Sequence, residues 1–177
     1  LGVLEESKAQ TVREEERLEQ AEQAPQYIYS YKEKSSSLYK TSLSTRETSE
    51  LIVRSHTFKL FCAYCPVGEG DIYFTGGYSA SFSILNEAVQ VNGDSLEATQ
   101  KAGMLRPRCG HGSAYDGKFL YVIGEPECER LLVSEDRWEP LQPLPEPCSF
   151  ACVVVLKATE CLYALGGSMG NEIDVIQ

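Results

Sequence analysis

The sequence predicts an all-β fold made of small, repeated sheets. From Tyr27 onward, short β-rich runs alternate with clusters of Gly, Pro, Ser and Asn. Within this region three segments resemble one another: DIYFTGG at 71–77, FLYVIGE at 119–125 and CLYALGG at 161–167. Their tyrosines, Tyr73, Tyr121 and Tyr163, are 48 and 42 residues apart. A period of this length is typical of repeat proteins, in which each repeat is one small structural unit.

Each of the three segments is an apolar run with an embedded tyrosine that stops at glycine. The stops are Gly76 and Gly77, Gly124, and Gly166 and Gly167. This pattern indicates a buried strand that ends in a tight bend. Another strand-like run precedes each segment, LFCAYCPV, HGSAYD and FACVVVL, and turn residues lie between the two runs at 68–70 and 116–117. The sequence therefore predicts three β-hairpins.

Weaker strand-like runs follow the glycine stops. EAVQV is followed by LEATQ, and RLLVS is followed by RWEPL. Four strands in a unit of roughly forty to fifty residues is the pattern of a β-propeller blade, a twisted sheet whose two faces pack on neighbouring blades. We therefore interpret Trp138 and the three repeated tyrosines as packing residues between blades.

The chain divides at about residue 25. Residues 1–25 are acidic and include a run, 5–24, that lacks Gly, Pro and aromatic residues and is rich in good helix formers. Two interpretations are open for it, a solvated helical linker and the end of a coiled coil. Residues 26–177 form the repeat region, with a partial unit at 27–55, complete units at 56–107 and 108–147, and a partial unit at 148–177.

Two runs in the second complete unit resemble the kelch repeat. RCGHGSAYDGKFLYVIG at 108–124 is similar to its opening, with Arg108 and His111, and RWEPLQPLP at 137–145 is similar to its closing strand, with Trp138. The unit after Gly77 has no Trp, and Leu96 or Ala98 lies near its expected place. The resemblance implies a kelch-type β-propeller, incomplete at about three to four blades, with a short N-terminal α-helix.

An incomplete propeller implies a partner for its ends. Closed propellers have typically about four to eight blades, and an open arc leaves sheet faces uncovered. We expect further blades, or a partner chain, to complete the ring. The resemblance also places His111 at the start of an inner strand, where we interpret it as a structural residue.

Composition and charge narrow the classes of partner. Lys and Arg total 16 against 26 Asp and Glu, a net charge of −10. Such a surface repels phosphates, so we expect neither nucleic acid nor an anionic membrane as a partner. No run approaches the ~18 apolar residues that span a bilayer. Seven cysteines without a regular framework are typical of a reducing compartment, which indicates the cytoplasm, with the cytoskeleton as an alternative location.

Enzyme chemistry is not predicted. Cys62 and Cys65 have a metal-like spacing, but positions i and i+3 of a strand point to opposite faces. The two histidines, His56 and His111, are not in a metal-binding pattern, and no nucleophile-elbow motif accompanies them. We therefore predict no catalytic residue, no metal and no cofactor.

Arg108 and Arg106 are the candidate partner-binding residues. The kelch resemblance places Arg108 at the start of an innermost strand, near the mouth of the propeller channel, where loops bind ligands. A guanidinium there can hold an acidic peptide through paired hydrogen bonds. The alternative is that Arg108 ties adjacent blades together through backbone carbonyls. Both roles stay open at this point.

The sequence thus predicts a non-catalytic protein–protein interaction module, a scaffold or adaptor. One alternative is the substrate-recognition subunit of a ubiquitin ligase. A second alternative is a cytoskeletal or ciliary structural protein.

Overall fold

The computed structural model describes residues 27–124, 127–156 and 161–167. Within these residues the chain forms thirteen β-strands and one 3-10 turn, Val133–Glu135, and no other helix. The all-β prediction is confirmed. The helix predicted over 5–24, and the whole segment 1–25, lie outside the described residues. In the described part no helix is long and apolar enough to cross a membrane.

Sheet 1 has three antiparallel strands in sequence order. They are β1 (Tyr27–Tyr31), β2 (Ser37–Ser42) and β3 (Thr48–Ile52). They lie within 27–55, where the sequence predicts a partial unit. Three strands are indeed present there.

Sheets 2 and 3 each have four antiparallel strands, and in both sheets neighbouring strands are consecutive in sequence. Sheet 2 contains β4 (Ala63–Val67), β5 (Asp71–Thr75), β6 (Ala88–Asn92) and β7 (Ala98–Gln100). Sheet 3 contains β8 (Gly112–Tyr115), β9 (Phe119–Ile123), β10 (Glu129–Leu132) and β11 (Arg137–Pro140). The predicted hairpins β4–β5 and β8–β9 are confirmed, as are the two weaker strands that follow each of them.

Sheet 4 consists of β12 (Cys152–Leu156) and β13 (Cys161–Leu165), paired antiparallel. It corresponds to the third predicted hairpin. Gly166 and Gly167 follow β13 just as Gly76 and Gly77 follow β5, and both pairs have positive φ.

The sheets stack face to face in chain order. One hydrophobic cluster joins sheet 1 to sheet 2 around Leu38 and Phe74, and a second joins sheet 2 to sheet 3 around Tyr73 and Trp138. A third cluster joins sheet 3 to sheet 4 and includes Val153. No cluster of the described residues joins sheet 4 to sheet 1, and these four sheets do not form a closed ring.

The two faces of a sheet have consistent roles along the stack. Tyr73 of sheet 2 packs towards sheet 3, and Tyr121, at the matching position of sheet 3, lines a cavity with Leu162 of sheet 4. The alternate residues Leu120 and Val122 pack back on sheet 2. Each sheet therefore presents one face to the sheet before it and the other to the sheet after it, as stacked repeats do.

The strand register identifies the residue that replaces tryptophan in sheet 2. In sheet 3, Leu120, Leu131 and Trp138 are aligned across three strands. The matching row in sheet 2 ends at Ala98, the second of the two candidates. Ala98 fills less volume at this position than a tryptophan would. The partly buried Tyr64 packs against the same hydrophobic cluster.

Gly76 permits the closest approach between sheets 2 and 3. Its φ is +63°, and a Cβ at this position would collide with the carbonyl oxygen of Arg108. The next residue, Gly77, donates its N–H to that same carbonyl at 2.9 Å. Glycine is therefore required at position 76 both by the positive φ and by the close approach of the segment at Arg108.

Candidate functional site

Arg108 connects sheet 2 to sheet 3. Its backbone N–H donates to the carbonyl of Leu85, in the connection between β5 and β6 of sheet 2, at 3.0 Å. Its guanidinium donates to the carbonyl of Glu127 at 2.7 Å and to the carboxylate of Glu129, on β10, at 2.5 Å. The second oxygen of that carboxylate accepts from the N–H of Leu105 at 2.6 Å. The segment between the two sheets is thus clamped by one buried ion pair.

This geometry favours the tie between sheets over the external binding role for Arg108. The residue is only 1% exposed, so its guanidinium cannot reach an acidic group on another molecule. Arg106, the second candidate, is exposed, and its guanidinium lies 3.8 Å from the Glu127 carboxylate. A surface pair at this distance leaves Arg106 accessible to a partner.

His111 is also buried between the two sheets. Its Nε2 lies 2.8 Å from the hydroxyl of Thr75, the last residue of β5. Burial, and then the nearby charge of Arg108, lower the pKa of His111 from about 6.5 to about 3. The imidazole is therefore neutral at pH 7 and is buried at the contact between sheets 2 and 3.

Acidification should destabilise the protein through His111. Because the folded-state pKa lies below the unfolded-state value, its contribution is fully present above about pH 6.5 and is lost as the pH falls towards 3. We expect the free energy of unfolding to fall by about 3 kcal/mol from this group between pH 7 and pH 4. Urea unfolding of the parent and of His111→Gln across this pH range gives the contribution of His111 to the free energy of unfolding. The effect of His56 cancels, because both proteins contain it. Parallel pH profiles would contradict the assignment.

Cys62 and Cys65 lie on opposite faces, as predicted. Cys62 packs in the cluster between sheets 1 and 2, whereas Cys65 packs in the cluster between sheets 2 and 3. Burial raises the pKa of Cys62 to about 11 and that of Cys65 to about 12, so both remain thiols at neutral pH. In the described part of the chain, no three His, Cys, Asp or Glu side chains group in a way that could hold a metal ion.

The sequence did not anticipate a run of four aromatic rings at one end of the sheets. We call it the aromatic surface, and its members are Phe82, Tyr78, Phe61 and Phe150. Consecutive ring centroids in this order are 6.5, 6.3 and 5.7 Å apart. Phe61, Phe82 and Phe150 are 44%, 68% and 60% exposed. Contiguous exposed apolar groups of this kind are a common feature of interaction sites.

Local folding presents these rings. Phe61 and Phe150 each lie two positions before the first strand of their sheet, β4 of sheet 2 and β12 of sheet 4. Phe82 projects from a turn that is closed by two backbone hydrogen bonds. The N–H of Phe82 donates to the carbonyl of Ser79, and the N–H of Ser79 donates to the carbonyl of Ser83. The Lys34 ammonium lies 5.7 Å from the centroid of the Phe82 ring, which places one cation at this end of the surface.

The backbone at these phenylalanines is unfavourable. Phe61, Phe82 and Phe150 have φ values of 54°, 60° and 61°, the left-handed region that bulky residues rarely adopt. At the matching position of sheet 3 the chain has Gly110, with φ of 61°, and a Cβ there would meet the Phe150 ring. Neither backbone preference nor burial accounts for exposed phenylalanines at such positions. Strain of this kind at an exposed residue favours a functional role.

The remaining repeat-signature residues lie within the strands or directly after them. Tyr73 and Trp138 are buried, Tyr121 and Tyr163 are partly buried, and Gly124 follows β9. The Trp138 indole N–H donates to the carbonyl of Ala102 at 2.7 Å. They form the scaffold that holds the aromatic surface.

No protein-family model matches the chain, and no curated protein is significantly similar to it in sequence.

Proposed function

We propose that the chain is a non-catalytic protein-interaction module built from kelch-like propeller repeats, and that a protein partner binds its aromatic surface. The observation that carries this proposal is the row of exposed rings at positive φ. Aromatic side chains are enriched in binding hot spots because they bury a large area at a small cost in side-chain entropy. Phe61, Phe82 and Phe150 have that chemistry and contribute little to the hydrophobic clusters of the fold.

Three features support the repeat assignment. Each complete unit is a four-stranded antiparallel sheet whose strands follow the chain order. Successive sheets use matching faces, and left-handed residues occur at matching positions, Phe61, Gly110 and Phe150, ahead of β4, β8 and β12. These are properties expected of stacked propeller blades, whose loops at one end are a usual site of ligand binding.

The composition narrows the class of partner. The net charge of −10 disfavours nucleic acid, so we propose a protein segment with an apolar or aromatic anchor residue. Lys34 beside Phe82 favours an acidic residue near that anchor. We propose a cytoplasmic location, because an odd number of cysteines without a regular framework is typical of reducing compartments.

Phe82→Ser and Phe150→Gly should weaken partner binding without loss of stability. Peptides selected from a displayed random library against the full chain supply the partner segment, and fluorescence anisotropy gives the Kd. We expect each substitution to raise the Kd at least about tenfold, since tenfold corresponds to about 1.4 kcal/mol and a hot-spot ring contributes about 2 kcal/mol or more. The melting temperature should stay the same or rise in Phe150→Gly, because glycine adopts this φ without strain.

Ile28→Ser is the matched control. Ile28 is similarly exposed, at 55%, but lies on the outer face of sheet 1, near the end of β1 that is opposite to the turn with Lys34. Its substitution should leave the Kd unchanged. Equal losses in all three variants, or a loss that follows the melting temperature, would rule out the aromatic surface as the binding site.

A further inference from the structure

We infer that the outer face of sheet 4 is a docking face for one more antiparallel sheet of the same repeat. The inference rests on the repeat assignment proposed above. It concerns the face of β12 and β13 that points away from sheet 3. Val154 and Tyr163 are paired across this face, and Cys152 is paired with Leu165.

The same positions are buried in the interior sheets. Val154 is 36% exposed, whereas its counterparts Cys65 and Ala114 are buried under the following sheet. Leu165, at 42% exposed, corresponds in the same way to two buried residues, Thr75 and Ile123. The residues on this face of sheet 4 are therefore those of an interior repeat, and no further sheet among the described residues covers them.

Sheet 1, by contrast, has the outer face of a terminal sheet. Where sheet 2 places Ile72 and Phe74 against its predecessor, sheet 1 has Ile28 and Ser30. On the same face Thr41 and Thr48 bond to each other at 2.9 Å, and Tyr39 bonds to the Glu50 carboxylate at 3.3 Å. The outer face of sheet 1 is therefore mixed, since the exposed Ile28 and Ile52 lie on it beside these polar pairs. If this face of a second copy packed on the apolar face of sheet 4, the Glu50 carboxylate would be buried without a cation, which makes it a poor mate.

A row of backbone hydrogen bonds gives the stack a direction. The N–H of Gly110 donates to the carbonyl of Phe61 at 2.9 Å, and the N–H of Phe150 donates to the carbonyl of Gly110 at 2.5 Å. At the start of the row, the Phe61 N–H donates instead to the Glu33 carboxylate at 3.0 Å. At the other end, no N–H of the described residues donates to the Phe150 carbonyl. The row is capped at sheet 1 and open at sheet 4.

These observations define the chemistry of the occupant. It is a β-sheet whose first two or three strands carry aliphatic residues at the positions of Leu120, Val122 and Leu131 in sheet 3. A left-handed residue ahead of its first strand donates an N–H to the carbonyl of Phe150. Charged groups are absent from its contact face, because Val154, Tyr163 and Leu165 offer them no partner.

An extended chain tests the inference. Residues 108–147 of the chain's own sequence are appended after Gln177 through a flexible linker of about ten residues, which spans up to about 30 Å. Docking of this added sheet should slow amide hydrogen exchange in β12 and β13 at least tenfold and should reduce the fluorescence of a bound hydrophobic dye. The matched control carries Leu120→Asp and Val122→Asp in the appended copy alone, and its exchange should equal that of the parent.

Two outcomes would overturn the inference. In one, both extended chains exchange at the parent rate. In the other, sedimentation shows that the parent is a dimer and that Val154→Asp converts it to a monomer. That result would mean that a second copy of the chain occupies this face of sheet 4. Peptide affinity at the aromatic surface is measured on the same preparations. If the added sheet does not dock but the peptide still binds, only the inference about sheet 4 is wrong. If the peptide does not bind, the proposed function is wrong.

Discussion

Replacing Arg108 with alanine is expected to lower the free energy of unfolding by about 3–5 kcal/mol. The substitution leaves the Glu129 carboxylate buried without its cation and removes the bond to the carbonyl of Glu127. The loss of a partner from a buried ion pair costs far more than a surface pair contributes. Urea unfolding, monitored by the fluorescence of Trp138, measures the change.

A double variant separates the ion pair from packing. Arg108→Met keeps much of the side-chain volume and should lose nearly as much stability as alanine, because Glu129 is still unpaired. Adding Glu129→Gln removes the buried charge and keeps an acceptor for the N–H of Leu105, so part of the loss should be recovered. A change below about 1 kcal/mol in Arg108→Ala would show that the pair is not buried, and would restore Arg108 as a candidate for partner binding.

Trp138→Ala should cost a similar amount, about 3–5 kcal/mol. The indole is buried in the cluster between sheets 2 and 3, and its removal leaves a cavity there as well as an unsatisfied carbonyl at Ala102. Trp138→Phe retains most of the packing and loses the hydrogen bond, so a smaller loss of about 1–2 kcal/mol is expected. Thermal unfolding followed by circular dichroism gives both values. Equal effects of the two substitutions would contradict a packing role for the ring.

Local patterns were sufficient to predict the strands. The glycine stops and the Asp116-Gly117 turn act within a few residues of the chain, so the hairpins and the order of strands could be predicted from sequence. The buried pair of Arg108 and Glu129 could not, because it joins residues 21 apart through an irregular segment. Nothing in the local pattern of either residue indicates that the other is its partner.

The aromatic surface was missed for a different reason. Phe61 and Phe150 lie within the apolar runs KLFCAYC and CSFACVVV, where a phenylalanine ordinarily indicates a core position, and Phe82 lies in the turn-like run YSASFS. Only the backbone conformation shows that they are exposed. One signal was available: aligning the repeats places Gly110 opposite Phe61 and Phe150, and glycine at one copy of a position suggests positive φ at the others.

Site-specific crosslinking, which locates a bound peptide on the chain, is the most direct test of a binding role for the aromatic surface. A photoreactive benzophenone amino acid is placed singly at Phe82, Phe150, Ile28 and Ile52, and each full chain is irradiated with a selected peptide. We expect crosslinks to the peptide from positions 82 and 150 and none from positions 28 and 52, which lie on the outer face of sheet 1. Crosslinks from sheet 1 alone, with none from the aromatic surface, would contradict it.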